Sequence, residues 1–565
     1  MFRAALSSAL GLALFVATCL LLTLPWLNPF SGGPTPAVLP LLFSWICLLA
    51  VLGGGPRAWA CALAAAGGAW LLAALASAGM GLLQYFGLSE FFSPWISITV
   101  PGEAYGNLRQ RNQFATLTNV GLAALLWWAA HQHRTAGRHR AEDGPAALPG
   151  ARSPATFFGQ LACGMAAALL AVGNAASSSR TGLVQLLVLL ALAGVWAQWR
   201  RPAVRPLLFV AALAYMLASA SLPWLAGLDA SSTGILARLN DGGEACASRL
   251  TLWRNVLHLI GLKPWFGWGW GELDFAHFTT LYTGPRFCEI LDNAHNLPLH
   301  LAVELGVPAA LLVCGGGAWL IWRAKPWRER DATRQMAWSV LGLILLHSLL
   351  EYPLWYGPFQ MAVLLCVGLL WPRPAGLGLS ATDFIDDSND AKHTTNLAAK
   401  YGSNDDATHG TSHDAKNTLA HDEKWSNKAF AHVLYRLFAI LIIVTLIFAA
   451  RDYHRVSQIY LPPEDRAPAL RSNTLTKIQD TWLFQNQARF ALLTITPLTS
   501  DNALRVNQLA HDLLHFSPEA RVVEKLIDSA LLLGRNDEAR FYAARFRAAY
   551  PAEYDAWAQK NGVTW

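Results

Sequence analysis

Apolar runs long enough to cross a bilayer recur along this chain and restrict its fold more than any other feature. A helix rises about 1.5 Å per residue, so about 18 to 20 apolar residues cross a hydrocarbon layer about 30 Å thick. Eleven segments meet or approach that length, at about 5–25, 36–53, 60–85, 113–131, 156–175, 182–199, 205–226, 297–322, 335–352, 357–372 and 431–449. Composition agrees: charged residues make up 14% of the 565 positions, against about 25% in ordinary soluble domains. With 54% hydrophobic residues and a mean hydropathy of +0.30, a soluble globule is excluded, because too few charges exist to cover it. The expected fold is an all-α polytopic membrane protein of about 11 transmembrane helices. The net charge of +6 then reflects basic loops, and no nucleic-acid partner is read from it.

Orientation follows from Lys and Arg in the short loops, which resist translocation. With Arg3 cytoplasmic, Arg57, the Arg134–Arg152 group, Arg200, Arg201 and Arg205, and the Arg323–Arg334 group all fall inside. The odd span count puts the C-terminal tail outside. The first run has no small-residue cleavage site and reads as a retained helix. The organisation expected is a transmembrane bundle over 1–226, a large outer loop over 227–296, further spans over 297–375, a disordered cytoplasmic loop over 376–430, a last span over 431–450 and an outer helical domain over 451–565. The 376–430 stretch is too polar to offset its ordering entropy. Its His393, His409, His413 and His421 are irregularly spaced with no Cys nearby, so no metal site is read there. The tail repeats apolar residues at helical spacing, and LLLGRNDEARFYAARFRAAYP resembles a tetratricopeptide-type hairpin, with a small helical bundle as the plainer reading.

Six cysteines (Cys19, Cys47, Cys61, Cys163, Cys314, Cys366) fall inside spans, where they serve as small packing residues. Cys246 and Cys288 both lie in the outer loop, and pair as a disulfide if that side is oxidising.

Polar residues gather at the outer face. SSSRTGL puts Arg180 at the outer mouth of the sixth helix, on the side where positive charge is disfavoured. It is either a snorkelling anchor or a group awaiting an anion. SRLTLWRNVLHLIGLKPWFGWGWGEL brings Arg249, Arg254 and His258 onto an amphipathic segment, suited to the membrane surface. Its Gly/Trp tract lacks the phosphate-loop arrangement and suits an interface or a sugar-stacking platform. DNAHNLPLHLAVELG places His295 at the outer end of a transmembrane helix with Asp292 close by, where it is either a cap or a general base for a hydroxyl. HSLLEYPLWY sets His347 and Glu351 four apart on the ninth helix, as a buried locking pair or as functional groups.

These motifs, in this order, resemble the O-antigen ligase superfamily of multispanning bacterial glycosyltransferases, which also includes O-antigen polymerases. YGNLRQRNQFATL, from Tyr105 to Leu117, and the soluble tail are similar to one branch, the bacterial protein O-oligosaccharyltransferases of the PglL type that glycosylate pilins. The resemblance implies a GT-C-like helical fold in the inner membrane with the active site facing the periplasm. It implies transfer of a glycan from undecaprenyl diphosphate to Ser or Thr of a pilin or other periplasmic protein. Arg180 and Arg249 match the arginines that hold the donor diphosphate, His295 matches the proposed catalytic histidine, and Arg254 is a helper. His347 and Glu351 fall in an EYPLW-type motif, while Asn107, Gln110 and Asn112 belong to the branch signature and shape the donor or acceptor path. Guanidinium groups can hold a diphosphate and stabilise its leaving charge without a metal or other cofactor. A single displacement assisted by His295 gives inversion.

Three rivals share much of this sequence logic. A ligase to lipid A core and an O-antigen polymerase would use the same arginines and histidine on a different acceptor. A flippase would leave the carrier diphosphate bond intact and calls for paired midplane charges and internal repeats. The sequence shows neither.

Overall fold

The computed structural model describes residues 9–30, 34–142, 154–229, 231, 233–240, 246–371 and 436–563. The segment 376–430, expected to be disordered, lies outside the described residues. Helices joined by loops account for the architecture, with no strand among the described residues. The first seven long helices are α1 (Ala9–Leu27), α2 (Val38–Gly53), α3 (Gly55–Tyr85), α4 (Arg111–Glu142), α5 (Pro154–Ala176), α6 (Arg180–Val195) and α7 (Arg205–Leu225). Two short helices follow in the large loop, α8 (Ile235–Asn240) and α9 (Arg249–Leu262), then α10 (Leu273–Thr279) and α11 (Leu297–Leu305). The chain continues through α12 (Val307–Arg328), α13 (Ala332–Ser348), α14 (Gly357–Leu370) and α15 (Arg436–Tyr460). The tail folds into α16 (Gln485–Ile495), α17 (Ala503–Leu514), α18 (Ala520–Leu532), α19 (Asn536–Ala549) and α20 (Pro551–Asn561).

Among the described residues, five stretches are long and apolar enough to cross a membrane: α3, α7, α12, α15 and the Phe158–Ala176 part of α5. Shorter apolar helices occupy Gly11–Leu27, Val38–Gly53, Arg180–Val195 and Gly357–Leu370. In α12 only 6% of the apolar window is buried within the protein. Leu311, Leu312, Trp319 and Trp322 are exposed on it, an arrangement that hydrocarbon satisfies and water does not.

Small residues set the spacing of the bundle. One face of α3 is a run of buried alanines, Ala62, Ala65, Ala66, Ala69, Ala73 and Ala74, which lets α1, α4 and α5 approach closely. At Gly182 the approach is closest where it bears on the site. A Cβ there would lie 2.4 Å from the Asn174 Oδ1 and 2.5 Å from the Ala115 Cβ. The Gly182 carbonyl accepts from Asn119 and Asn174 at 3.1 and 3.3 Å, and its N–H donates to the Ser179 hydroxyl at 2.9 Å.

The span expected at 297–322 is divided. Gly306 breaks it with φ of +91°, and a Cβ at that position would lie 2.2 Å from the Trp265 carbonyl oxygen. The loop after α9 grips this break through backbone bonds: Trp268 N to Val303 O at 2.9 Å, Gly269 N to Glu304 O at 3.0 Å and Val307 N to Pro264 O at 2.8 Å. So α11 belongs to the outer loop, not to a span. It shares a separate core with α9 and α10, built on Leu252, Val256, Leu259, Leu273, Leu301 and Val303. His295 consequently lies one short helix ahead of the apolar stretch Val307–Arg328, which is long enough to cross a membrane.

The tail has its own core around Val506, Leu513, Leu526, Ile527 and Phe546, and Phe278 of the outer loop is packed into it. The His515 ring stacks on Phe275 at 3.8 Å, His515 Nδ1 lies 2.7 Å from Glu272, and Arg545 donates to the Thr279 carbonyl at 2.8 Å. The tail thus holds the outer loop. Truncating a fully buried Phe costs about 3–5 kcal/mol. Phe278→Ala should therefore release α16–α20 to limited proteolysis at protease concentrations that leave the wild type intact.

Candidate active site

The site is organised by the carboxylate of Glu351, which is 7% exposed just beyond the end of α13. Its Oε1 accepts from the Arg249 guanidinium and from Asn112 Nδ2 at 3.2 Å. Its Oε2 faces His295 Nδ1 at 2.6 Å. An ionised carboxylate can only accept, so Nδ1 carries the proton and Nε2 is the nitrogen left for other chemistry. The partner of His295 is therefore Glu351, not the neighbouring Asp292 suggested by sequence proximity.

Each group is held by its own local structure. Ser248 caps α9 through the Thr251 N–H at 3.2 Å, which fixes the first residue of the helix, Arg249. Two side chains tie α9 to the segment that carries His295. Asn255 receives the Phe287 N–H at 2.7 Å and donates to the Pro285 carbonyl at 3.0 Å, while Trp253 Nε1 donates to the Ala294 carbonyl at 3.2 Å. The disulfide Cys246–Cys288, with a Cα–Cα distance of 5.4 Å, closes the same loop next to both. His295 takes φ of +49°, with its N–H on Asn293 Oδ1 at 2.8 Å. Asn296 caps α11 through the Leu299 N–H and reaches the Leu349 carbonyl at 3.0 Å. The Tyr352 ring meets the His295 ring edge-on at 5.0 Å.

The remaining residues divide by contact. Asn112 joins two parts of the site, since its Oδ1 accepts from the Ser179 hydroxyl at 2.6 Å while its Nδ2 reaches Glu351. Ser179 precedes Arg180, which is exposed at the start of α6 and donates to the Arg238 carbonyl. Arg238 in turn donates to the Ser178 carbonyl at 3.3 Å. Arg254 is exposed on the face of α9 that also shows Leu250 and Leu257. The side chain of His347 does not bond Glu351. It is 0% exposed and meets the Thr116 hydroxyl at 2.9 Å, which is linked to Gln185, so it fastens α13 to α4 and α6. Asn107 gives both amide hydrogens to backbone carbonyls, Leu27 at 2.8 Å and Trp95 at 2.9 Å, and accepts the Ser97 N–H. Gln110 accepts the Gln113 N–H at 2.9 Å. These two brace the loop before α4, and only Asn112 of the branch signature reaches Glu351. Ser179, Thr116 and Tyr352 carry no charge that marks them in the sequence, although they sit inside the SSSRTGL, YGNLRQRNQFATL and EYPLW runs.

Where the outer loop meets the tail, burial pushes the Asp274 carboxyl up to about 7, with Asp292 and Glu272 adding to the shift. Burial, with a smaller contribution from nearby Arg286, lowers His277 to about 3. His277 lies neutral between the Tyr282 hydroxyl at 2.8 Å and the Phe287 carbonyl at 3.1 Å, a structural role.

Three family models match successive parts of the chain: protein glycosylation ligase over 104–129, O-antigen ligase over 165–314, and the C-terminal part of a virulence factor membrane-bound polymerase over 335–562. The second contains Arg180, Arg249 and His295, the third Glu351, and the first Asn112. Across these three segments the chain is similar to the superfamily of O-antigen and protein glycosylation ligases. This superfamily consists of glycosyltransferase-type enzymes. A general O-oligosaccharyltransferase of Acinetobacter baylyi is 27% identical over 140 residues, covering 25% of this chain and 23% of that relative. The chain thus matches about a quarter of the length of that curated relative.

Removing Arg249, itself 40% exposed, leaves the buried Glu351 carboxylate without its cation, at a cost below the about 3–5 kcal/mol of a fully buried pair. Arg249→Ala should destabilise the outer loop, whereas the double variant Arg249→Ala, Glu351→Gln should recover part of the lost thermal stability. Cys246→Ser should cost about 2–4 kcal/mol, read as a lower Tm under non-reducing conditions that approaches the value of reduced wild type.

Proposed function

We propose that this chain transfers a glycan from undecaprenyl diphosphate to Ser or Thr hydroxyls of pilin-like or other periplasmic proteins. In this reading the N-terminus is cytoplasmic, about eleven helices cross the inner membrane, and Glu351, the outer loop and the tail face the periplasm. The observation that carries it is the meeting of Arg249, His295 and Asn112 on one buried carboxylate, from three elements distant in sequence.

Glu351 holds His295 by Nδ1, so Nε2 takes the acceptor hydroxyl proton as that oxygen attacks the anomeric carbon. The bond from that carbon to the phosphate oxygen breaks, and the diphosphate leaves on the opposite face, which inverts the configuration. Arg249 gives one donor to Glu351 and keeps 40% of its side chain exposed, leaving other guanidinium hydrogens for phosphate oxygens. Arg180, linked to the same centre through Ser179 and Asn112, adds a second positive charge where the leaving group develops negative charge. Arg254 supplies a third at the membrane surface. His347 acts from below by fixing α13.

The glycosylation-ligase match over 104–129 and the oligosaccharyltransferase relative favour a protein acceptor. The polymerase match over 335–562 favours a second reading, extension of a lipid-linked glycan. Expression in a cell supplying a defined undecaprenyl-linked glycan separates the two. Mass spectrometry should find glycan on Ser or Thr of periplasmic proteins, and longer lipid-linked chains on bare proteins would overturn the protein-acceptor reading. General-base removal typically lowers rates about 10²–10⁴-fold. His295→Ala should fall in that range, and Glu351→Gln should lose at least about 10²-fold by misorienting the imidazole.

A further inference from the structure

The Gly/Trp tract after α9 treats its two tryptophans in opposite ways. Trp268 is turned inward, donating to the Leu259 carbonyl at 3.0 Å under the Lys263 ammonium. Trp270 is turned outward and is 63% exposed. Its indole lies parallel to that of Trp355, with centroids 6.2 Å apart and planes 8° from parallel. The His300 ring stands edge-on to both, at 6.1 and 5.0 Å.

This pair is held rigidly. Trp270 follows the backbone grip on Gly306, where Gly267 takes φ of +69° and a Cβ would lie 2.3 Å from the Glu304 carbonyl oxygen. Trp355 follows Glu351 by four residues in one turn, and His300 follows His295 by five. The platform therefore shares both of its supporting segments with the candidate active site. His300 is 3% exposed, and its Nε2 lies 3.5 Å from Glu304. Its Nδ1 has no hydrogen-bond partner among the described residues. A buried polar atom without a partner calls for an explanation, and one beside two parallel indoles suits a ligand with both apolar faces and hydroxyls.

We propose that Trp270, Trp355 and His300 form a subsite for a sugar of the donor glycan beyond the one being transferred. This rests on the glycosyltransferase reading of the Glu351 centre. A pyranose presents a face of C–H groups to an indole and hydroxyls at its edge, so Trp270 takes the face and His300 Nδ1 takes a hydroxyl at the rim of the stack. A tryptophan that only anchors the protein at the membrane interface needs neither the parallel partner nor the unsatisfied nitrogen. The subsite makes donor length a determinant of affinity.

Binding and turnover are read separately in nanodiscs, with undecaprenyl-diphosphoryl N-acetylglucosamine and with a tetrasaccharide on the same carrier. Wild type, and His295→Ala in the binding assay, should hold the tetrasaccharide donor about tenfold tighter. Trp270→Ala should remove that difference and leave the Kd of the monosaccharide donor unchanged, while Trp270→Phe should retain most of it. Equal affinities of wild type for the two donors would overturn the subsite. Equal weakening of both donors by Trp270→Ala would also overturn it, since a membrane anchor gives that result. Preference for the longer donor without transfer to any acceptor would leave the subsite standing and defeat the transferase reading.

Discussion

A single carboxylate, mostly withdrawn from water, sets what the rest of this protein must do. Glu351 is stable in that position only because Arg249, His295 and Asn112 surround it, and a buried carboxylate without partners would protonate or unfold its surroundings. Those partners come from α9, from the turn before α11 and from the start of α4. The bundle, the outer loop and the loop before α4 must all be in register for the charge to be satisfied. The same bonds that make the fold tolerable aim His295 Nε2 and leave Arg249 donors to spare.

The outer loop is not free to wander. The disulfide, the Asn255 and Trp253 bonds and the grip on Gly306 fix it to α11, and the tail fixes its other side through Phe275, Phe278 and Arg545. The helical tail packs against the same loop that carries Arg249 and His295, through Phe275, Phe278 and Thr279.

Inside the bundle the connection runs through close helix packing. Gly182 brings α6 against α4 and α5, Ser179 and Asn112 then meet, and Asn112 reaches Glu351. The buried Thr116, Gln185 and His347 group below completes the alignment of α4, α6 and α13. Polar contacts of this kind specify one arrangement among helices whose apolar surfaces could slide.

Hydrophobic period and composition alone determined the helical class with membrane-length apolar stretches, a long loop between them and a helical tail. Those properties are local, since each run carries its own period and each basic loop its own charge. The motifs also marked Arg180, Arg249, His295 and Glu351, because charged groups beside apolar runs are conspicuous. Tertiary structure alone decided who meets whom. Asp292 is nearest to His295 in sequence, yet Glu351, 56 positions away, is the carboxylate that reaches it. Asn107 and Asn112 read alike in one motif, yet one braces backbone and the other joins the site. Gly306 divides a run that looked continuous because its neighbour, the Trp265 carbonyl, leaves no room for a side chain. Such outcomes depend on distances between elements far apart in the chain, and no local period encodes a distance of that kind.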